Sequence, residues 1–123
     1  MTRAAPVPVN IEYRRIPRVL FVEFENGEQF EMSAEFLRVN SPSAEVRGHS
    51  DDTAVLQVGK QDVQIDQIVP VGNYAVQLYF DDNHDTGIYS WDWLYHLGTN
   101  KNLLWAEYLE KLEKAGGKRA PSN

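Results

Sequence analysis

The chain of 123 residues contains no cysteine. That one absence excludes disulfides, thiolate nucleophiles, cysteine-type zinc sites and cysteine-ligated clusters. It fits a reducing compartment, and the cytoplasm is the expected location. Long apolar runs are also missing: none approaches the roughly 18 residues that a membrane-spanning helix needs. The first residues, Met-Thr-Arg-Ala-Ala-Pro, lack the apolar middle of a signal peptide. Positive charge is scarce, with 12 Lys and Arg against 18 Asp and Glu and a formal net charge of -6. Nucleic-acid binding normally leaves a basic footprint, so no nucleic-acid partner is expected. The one basic stretch, Arg14, Arg15 and Arg18 around Pro17, reads as the solvated edge of a strand. No phosphate-cradling glycine loop and no Gly-x-Ser-x-Gly elbow occurs, and nothing in the sequence places a base beside a hydroxyl.

What is present is an ordinary globular composition, 42% hydrophobic and 11% aromatic, in a chain of single-domain length. Val9, Ile11 and Tyr13 alternate with polar residues as in a half-buried strand. The apolar run Val19 to Phe24 precedes Asn26-Gly27, and the return strand Gln29 to Met32 completes a hairpin whose two central residues are expected at positive φ. Ser33 can cap a short helix carrying Ala34, Phe36 and Leu37 on its buried side and ending near Asn40. Residues 41–62 look irregular, with a short strand over Val55 to Val58. Val63 to Val69 and Tyr74 to Phe80 are predicted strands, the second with Tyr74, Val76, Leu78 and Phe80 on one face. Gly87-Ile88-Tyr89 can pair back antiparallel, Ser90 can cap a helical turn or two stopping at Gly98, and a last helix ends at Gly116-Gly117. The expected fold is α+β: a small antiparallel or mixed sheet with a hairpin near the N-terminus and two C-terminal helices packed on one face. Residues 9–115 are expected as one domain, with 1–8 a loose lead-in and 116–123 a frayed tail.

Most of the polar groups able to do chemistry lie between Val71 and Trp93. Asp81, Asn83, Asp85 and Asp92 follow positions 1, 3, 5 and 12 of a calcium loop, but the glycine falls one place late at Gly87 and a strand precedes it, so the pattern fails. Asp81, Asp82, His84 and Asp85 supply oxygen ligands and an imidazole, a set suited to magnesium, manganese or iron. His49-Ser50-Asp51 matches half of a two-histidine, one-carboxylate iron site, with His84 or His96 as the third ligand. An oxygenase would also need an enclosing barrel, and this strand pattern does not provide one. Trp91, Trp93, Tyr95 and Trp105 form an aromatic group read either as core or as a partner-binding patch.

The run Asp81-Asp82-Asn83-His84-Asp85-Thr86-Gly87-Ile88-Tyr89-Ser90-Trp91 resembles the small N-terminal domain of gamma-butyrobetaine hydroxylase and trimethyllysine hydroxylase, which also occurs alone in bacteria. Phe36-Leu37-Arg38, Ser41 to Val46, Gly48-His49, Val71 to Ala75, Leu104-Trp105 and Tyr108-Leu109 extend the likeness over roughly residues 9–115. The resemblance implies a zinc-binding, dimer-supporting module whose ligands are cysteines after the first short helix and a histidine in the acidic turn. His84 matches that histidine; the cysteine positions fall around Ser41 to Glu45, where this chain has no thiol. Similar domains are fused to P-loop ATPases carrying iron–sulfur clusters.

Two readings of function follow. The first is a non-enzymatic interaction domain, monomer or weak homodimer, serving an iron–sulfur carrier ATPase or metalloenzyme through a face containing Tyr89, Trp91 and Trp93. The second is a protein that binds zinc or iron through His84 with Asp81, Asp82, Asp85 and His49.

Overall fold

The computed structural model describes residues 5–47 and 54–121. Its elements are β1 (Pro8–Arg14), β2 (Val19–Phe24), β3 (Gln29–Ser33), α1 (Ala34–Val39), α2 (Ala44–Arg47), β4 (Ile65–Val71), β5 (Ala75–Phe80), β6 (Gly87–Ser90), α3 (Trp91–Thr99) and α4 (Lys101–Ala115). The α+β expectation is met, with the six strands divided into two antiparallel three-stranded sheets, β1-β2-β3 and β4-β5-β6. No helix among the described residues is long and apolar enough to cross a membrane.

Period-2 alternation builds both sheets. Leu20, Val22 and Phe24 of β2 and Val76, Leu78 and Phe80 of β5 point into one core, joined by Met32, Phe36, Leu37, Tyr89, Leu94 and Leu97. The first hairpin closes differently from the expectation. Gly27 N–H donates to Phe24 O and Phe24 N–H to Glu28 O, and only Gly27 has a positive φ, 88°. This is a three-residue loop ending in a left-handed glycine, so Asn26 keeps an ordinary backbone and uses its Oδ1 to accept from Glu28 N–H.

Caps explain the helix boundaries. Ser33 Oγ accepts from Phe36 N–H at 3.0 Å and Ser90 Oγ from Trp93 N–H at 3.1 Å, contacts worth about 1 kcal/mol each. Gly116, at φ 68°, ends α4 in the left-handed conformation. Helix α3 extends to Thr99, longer than the turn or two expected, because Gly98 packs against the Phe30 ring rather than ending the helix. Val55 to Val58 is not a strand, and Ala44–Arg47 forms a short helix that the irregular sequence concealed. Residues 117–121 are tied down rather than frayed: Gly59 and Gln61 N–H donate to Lys118 O and Arg119 O, at 2.8 and 2.9 Å.

Candidate functional site

The acidic turn joins β5 to β6 and is built by its own side chains. Asn83 takes a left-handed φ of 67°, a conformation that short polar side chains tolerate. Asp82 Oδ1 accepts from His84 N–H at 3.2 Å, and Phe80 N–H donates to His84 O at 3.0 Å. Asp81 and Gln64 exchange bonds, Asp81 N–H to Gln64 O and Gln64 N–H to Asp81 Oδ1, anchoring the turn to the segment that leads into β4.

The turn folds His84 inward. The residue is 4% exposed, and its Nε2 lies 2.9 Å from Ser41 Oγ, itself fully buried in the connection after α1. Beside this pair, Ser43 Oγ and Thr86 Oγ1 are 2.8 Å apart, and the Tyr89 hydroxyl donates to Leu37 O. Gly87 closes the cluster from below: a Cβ there would stand 2.8 Å from Ser41 Oγ and 2.9 Å from Tyr89 Cε1. Burial pushes the Tyr89 phenol far above its ordinary pKa. The structure thus does set a base beside a hydroxyl, contrary to the sequence expectation. Both residues are buried, and the pair clasps the α1–α2 connection to the β5–β6 turn.

Asp82 is committed to cations. Its Oδ2 receives Arg38 Nε at 2.9 Å and Lys60 Nζ at 2.6 Å. Burial opposes its charge, but those two cations outweigh it and hold the carboxyl below the usual aspartate range. Asp81 and Asp85 are exposed. Of the four turn residues expected as metal ligands, His84, Asp82 and Asp81 therefore point to different partners and Asp85 is exposed, and His49 lies outside the described residues. Among the described residues no group of three or more His, Cys, Asp or Glu side chains converges as a metal site would.

The zinc ion implied by the family resemblance can be tested against the donors themselves. Beside His84 Nε2 the structure places the hydroxyl of Ser41. Neutral hydroxyls do not replace the thiolates of a structural zinc site, and the nearby Asp82 carboxylate is held by Arg38 and Lys60. These residues do not fit the ion.

The aromatic residues divide. Tyr89, expected on an interacting face, is wholly buried, because β6 alternation turns it toward Val76 and the core. Trp93 is half-buried, bonded through Nε1 to Asn40 O, with the Arg47 guanidinium 4.9 Å from its ring and His96 stacked at 5.3 Å. Trp91 is half-buried and bonded to Asn73 O.

The strand register reveals a surface that motif reading missed. The outer face of the second sheet consists of the cross-strand rows Gln67–Tyr79, Val69–Gln77–Ile88 and Val71–Ala75–Ser90. None of these side chains is charged. Val69 and Ile88 are 38% and 45% exposed, and Tyr74, in the turn before β5, is 56% exposed rather than buried with Val76. The outer face of the first sheet, by contrast, carries Arg14, Glu12, Glu23 and Glu31 around Phe21. The signal was available in the outward positions of β5, Gln77 and Tyr79, which are uncharged.

Fold and site together define a small α+β domain with a buried polar clasp and one uncharged sheet face. The chain belongs to the family described as gamma-butyrobetaine hydroxylase-like, N-terminal, whose model matches residues 11–95. It is similar to two proteins solved by solution NMR. One is 48% identical over 100% of this chain and 93% of that one, the other 42% identical over 98% and 94%, both with a TM-score of 0.84. A protein of unknown function from Acidithiobacillus ferrooxidans ATCC 23270, a member of the DUF971 family solved by crystallography, is 35% identical over 74% of this chain and 91% of that one, with a TM-score of 0.58. No curated protein matches the chain.

Proposed function

We propose that this protein is a non-enzymatic accessory domain that docks onto a partner through the outer face of its β4-β5-β6 sheet. The observation that carries the reading is the row Val69–Gln77–Ile88, uncharged and exposed at both ends, in a chain that is 24% charged. Depletion of charge at the centre of a surface is the compositional mark of an interface. The partner inferred is an iron–sulfur carrier ATPase or another metalloprotein; the fusion of similar domains to such ATPases supports that choice, by association.

The experiment is a binding titration of a purified P-loop iron–sulfur carrier ATPase with the wild type and with Val69→Asp/Ile88→Asp, a variant that keeps the core intact. The reading expects saturable binding by the wild type and its loss in the variant. A folded wild type that does not bind removes the proposed partner. Binding of equal strength by the variant removes the proposed face.

A further inference from the structure

Glu35, in the first turn of α1, is 5% exposed, yet its counter-ion comes from the other end of the chain. Arg119 grips it with two bonds, Nη2 to Oε1 at 2.8 Å and Nε to Oε2 at 3.0 Å. The same guanidinium lies 5.2 Å from the centre of the Trp105 ring. A carboxylate taking two parallel N–H bonds under an aromatic face recognises a planar guanidinium better than an ammonium. Burial and then the Glu35 charge raise the nearby Tyr108 phenol to about 12.

The segment supplying the arginine lies at the surface. It leaves α4 through Gly116, and Lys118, Ala120 and Pro121 are exposed. Besides the Arg119 side chain, backbone bonds hold it: Gly59 and Gln61 N–H donate to Lys118 O and Arg119 O, and Gly117 N–H donates to Leu112 O. Arg119 itself is 41% exposed while the carboxylate it meets is 6% exposed. The receptor half of this contact is thus built into the core, and the occupant half is a surface segment that bends at Arg119 and Ala120.

We propose that Glu35 and Trp105 form a guanidinium-binding site, occupied in cis by Arg119, which accepts an arginine-bearing segment of a partner protein in exchange. The backbone N–H groups of Gly59 and Gln61 hold the incoming segment as they hold the resident one. The site is separate from the uncharged sheet face, and it stands or falls without it.

The test uses the full chain with Arg119→Ala and the capped peptide Gly-Lys-Arg-Ala-Pro, followed through the Trp105 indole N–H resonance. The peptide is expected to shift that resonance saturably and at least about tenfold more tightly than Gly-Lys-Lys-Ala-Pro, because lysine cannot supply the fork. Arg119→Ala/Glu35→Gln should lose the response. Arg119→Lys, which keeps the charge, provides a second folded background in which the arginine peptide should displace the resident lysine. Absence of a saturable shift in these folded single variants, or equal responses to the two peptides, overturns the proposal. Persistence of the response in the Glu35→Gln background overturns it as well.

Discussion

Ser41 Oγ and His84 Nε2 meet at 2.9 Å inside the core, bridging the segment after α1 to the turn before β6. The contact pairs the imidazole with a neutral hydroxyl, a donor set that does not build a structural zinc site. Removing either side chain takes a hydrogen bond out of a buried polar cluster, which costs about 1–3 kcal/mol. Ser41→Ala and His84→Ala should each lower the urea midpoint of unfolding accordingly. Midpoints equal to that of the wild type would show that the clasp does not stabilise the fold.

Metal dependence should be absent for the same reason. Chelation with EDTA is expected to leave the melting temperature unchanged, and calorimetric titration with zinc is expected to give no saturable heat. A chelator-induced fall of several degrees would mean that a metal holds the turn after all.

Gly98→Ala sets two effects against each other. Alanine gains about 1 kcal/mol of helix propensity over glycine, but its Cβ would stand 2.5–2.9 Å from three atoms of the Phe30 ring. Overpacking of this kind costs about 1–3 kcal/mol, so the substitution should destabilise the protein on balance. Denaturant unfolding gives the sign directly, and a stabilised variant would contradict the packing described here.

The stability profile should fall at both extremes of pH. Tyr89 and Tyr108 have folded-state pKa values raised by burial, the second to about 12. Their contribution is complete below the unfolded value near 10 and is lost as pH rises beyond it, because only the unfolded chain then ionises freely. Asp82 is depressed by Lys60 and Arg38 despite its burial. Its contribution is complete above the unfolded value of about 3.9 and is lost as pH falls through the folded value. Replacing it with asparagine should flatten the acid limb of a pH series of melting temperatures. An unchanged acid limb would place the acid sensitivity elsewhere.

The parts of this fold set by local rules were legible in the sequence. Ser33, Ser90 and Gly116 marked helix ends through capping chemistry, and the alternation of Val76, Leu78 and Phe80 marked the buried face of β5. What required long-range register was not. Asn26-Gly27 announced a hairpin but not its loop geometry, and Tyr89 looked presentable until pairing with Val76 turned it inward. His84 and its neighbouring aspartates are close in sequence, yet the turn directs them to Ser41, Arg38, Lys60 and Gln64, residues that spacing alone could not associate with them. Arg119 and Glu35 are 84 positions apart, so the tail read as free.

The most direct test of the docking face is hydrogen–deuterium exchange of the domain with and without its bound partner protein. Protection is expected to concentrate on β4, β5 and β6, the strands carrying Val69, Gln77 and Ile88. Protection confined to the first sheet or to α4, with those three strands unchanged, would contradict the account.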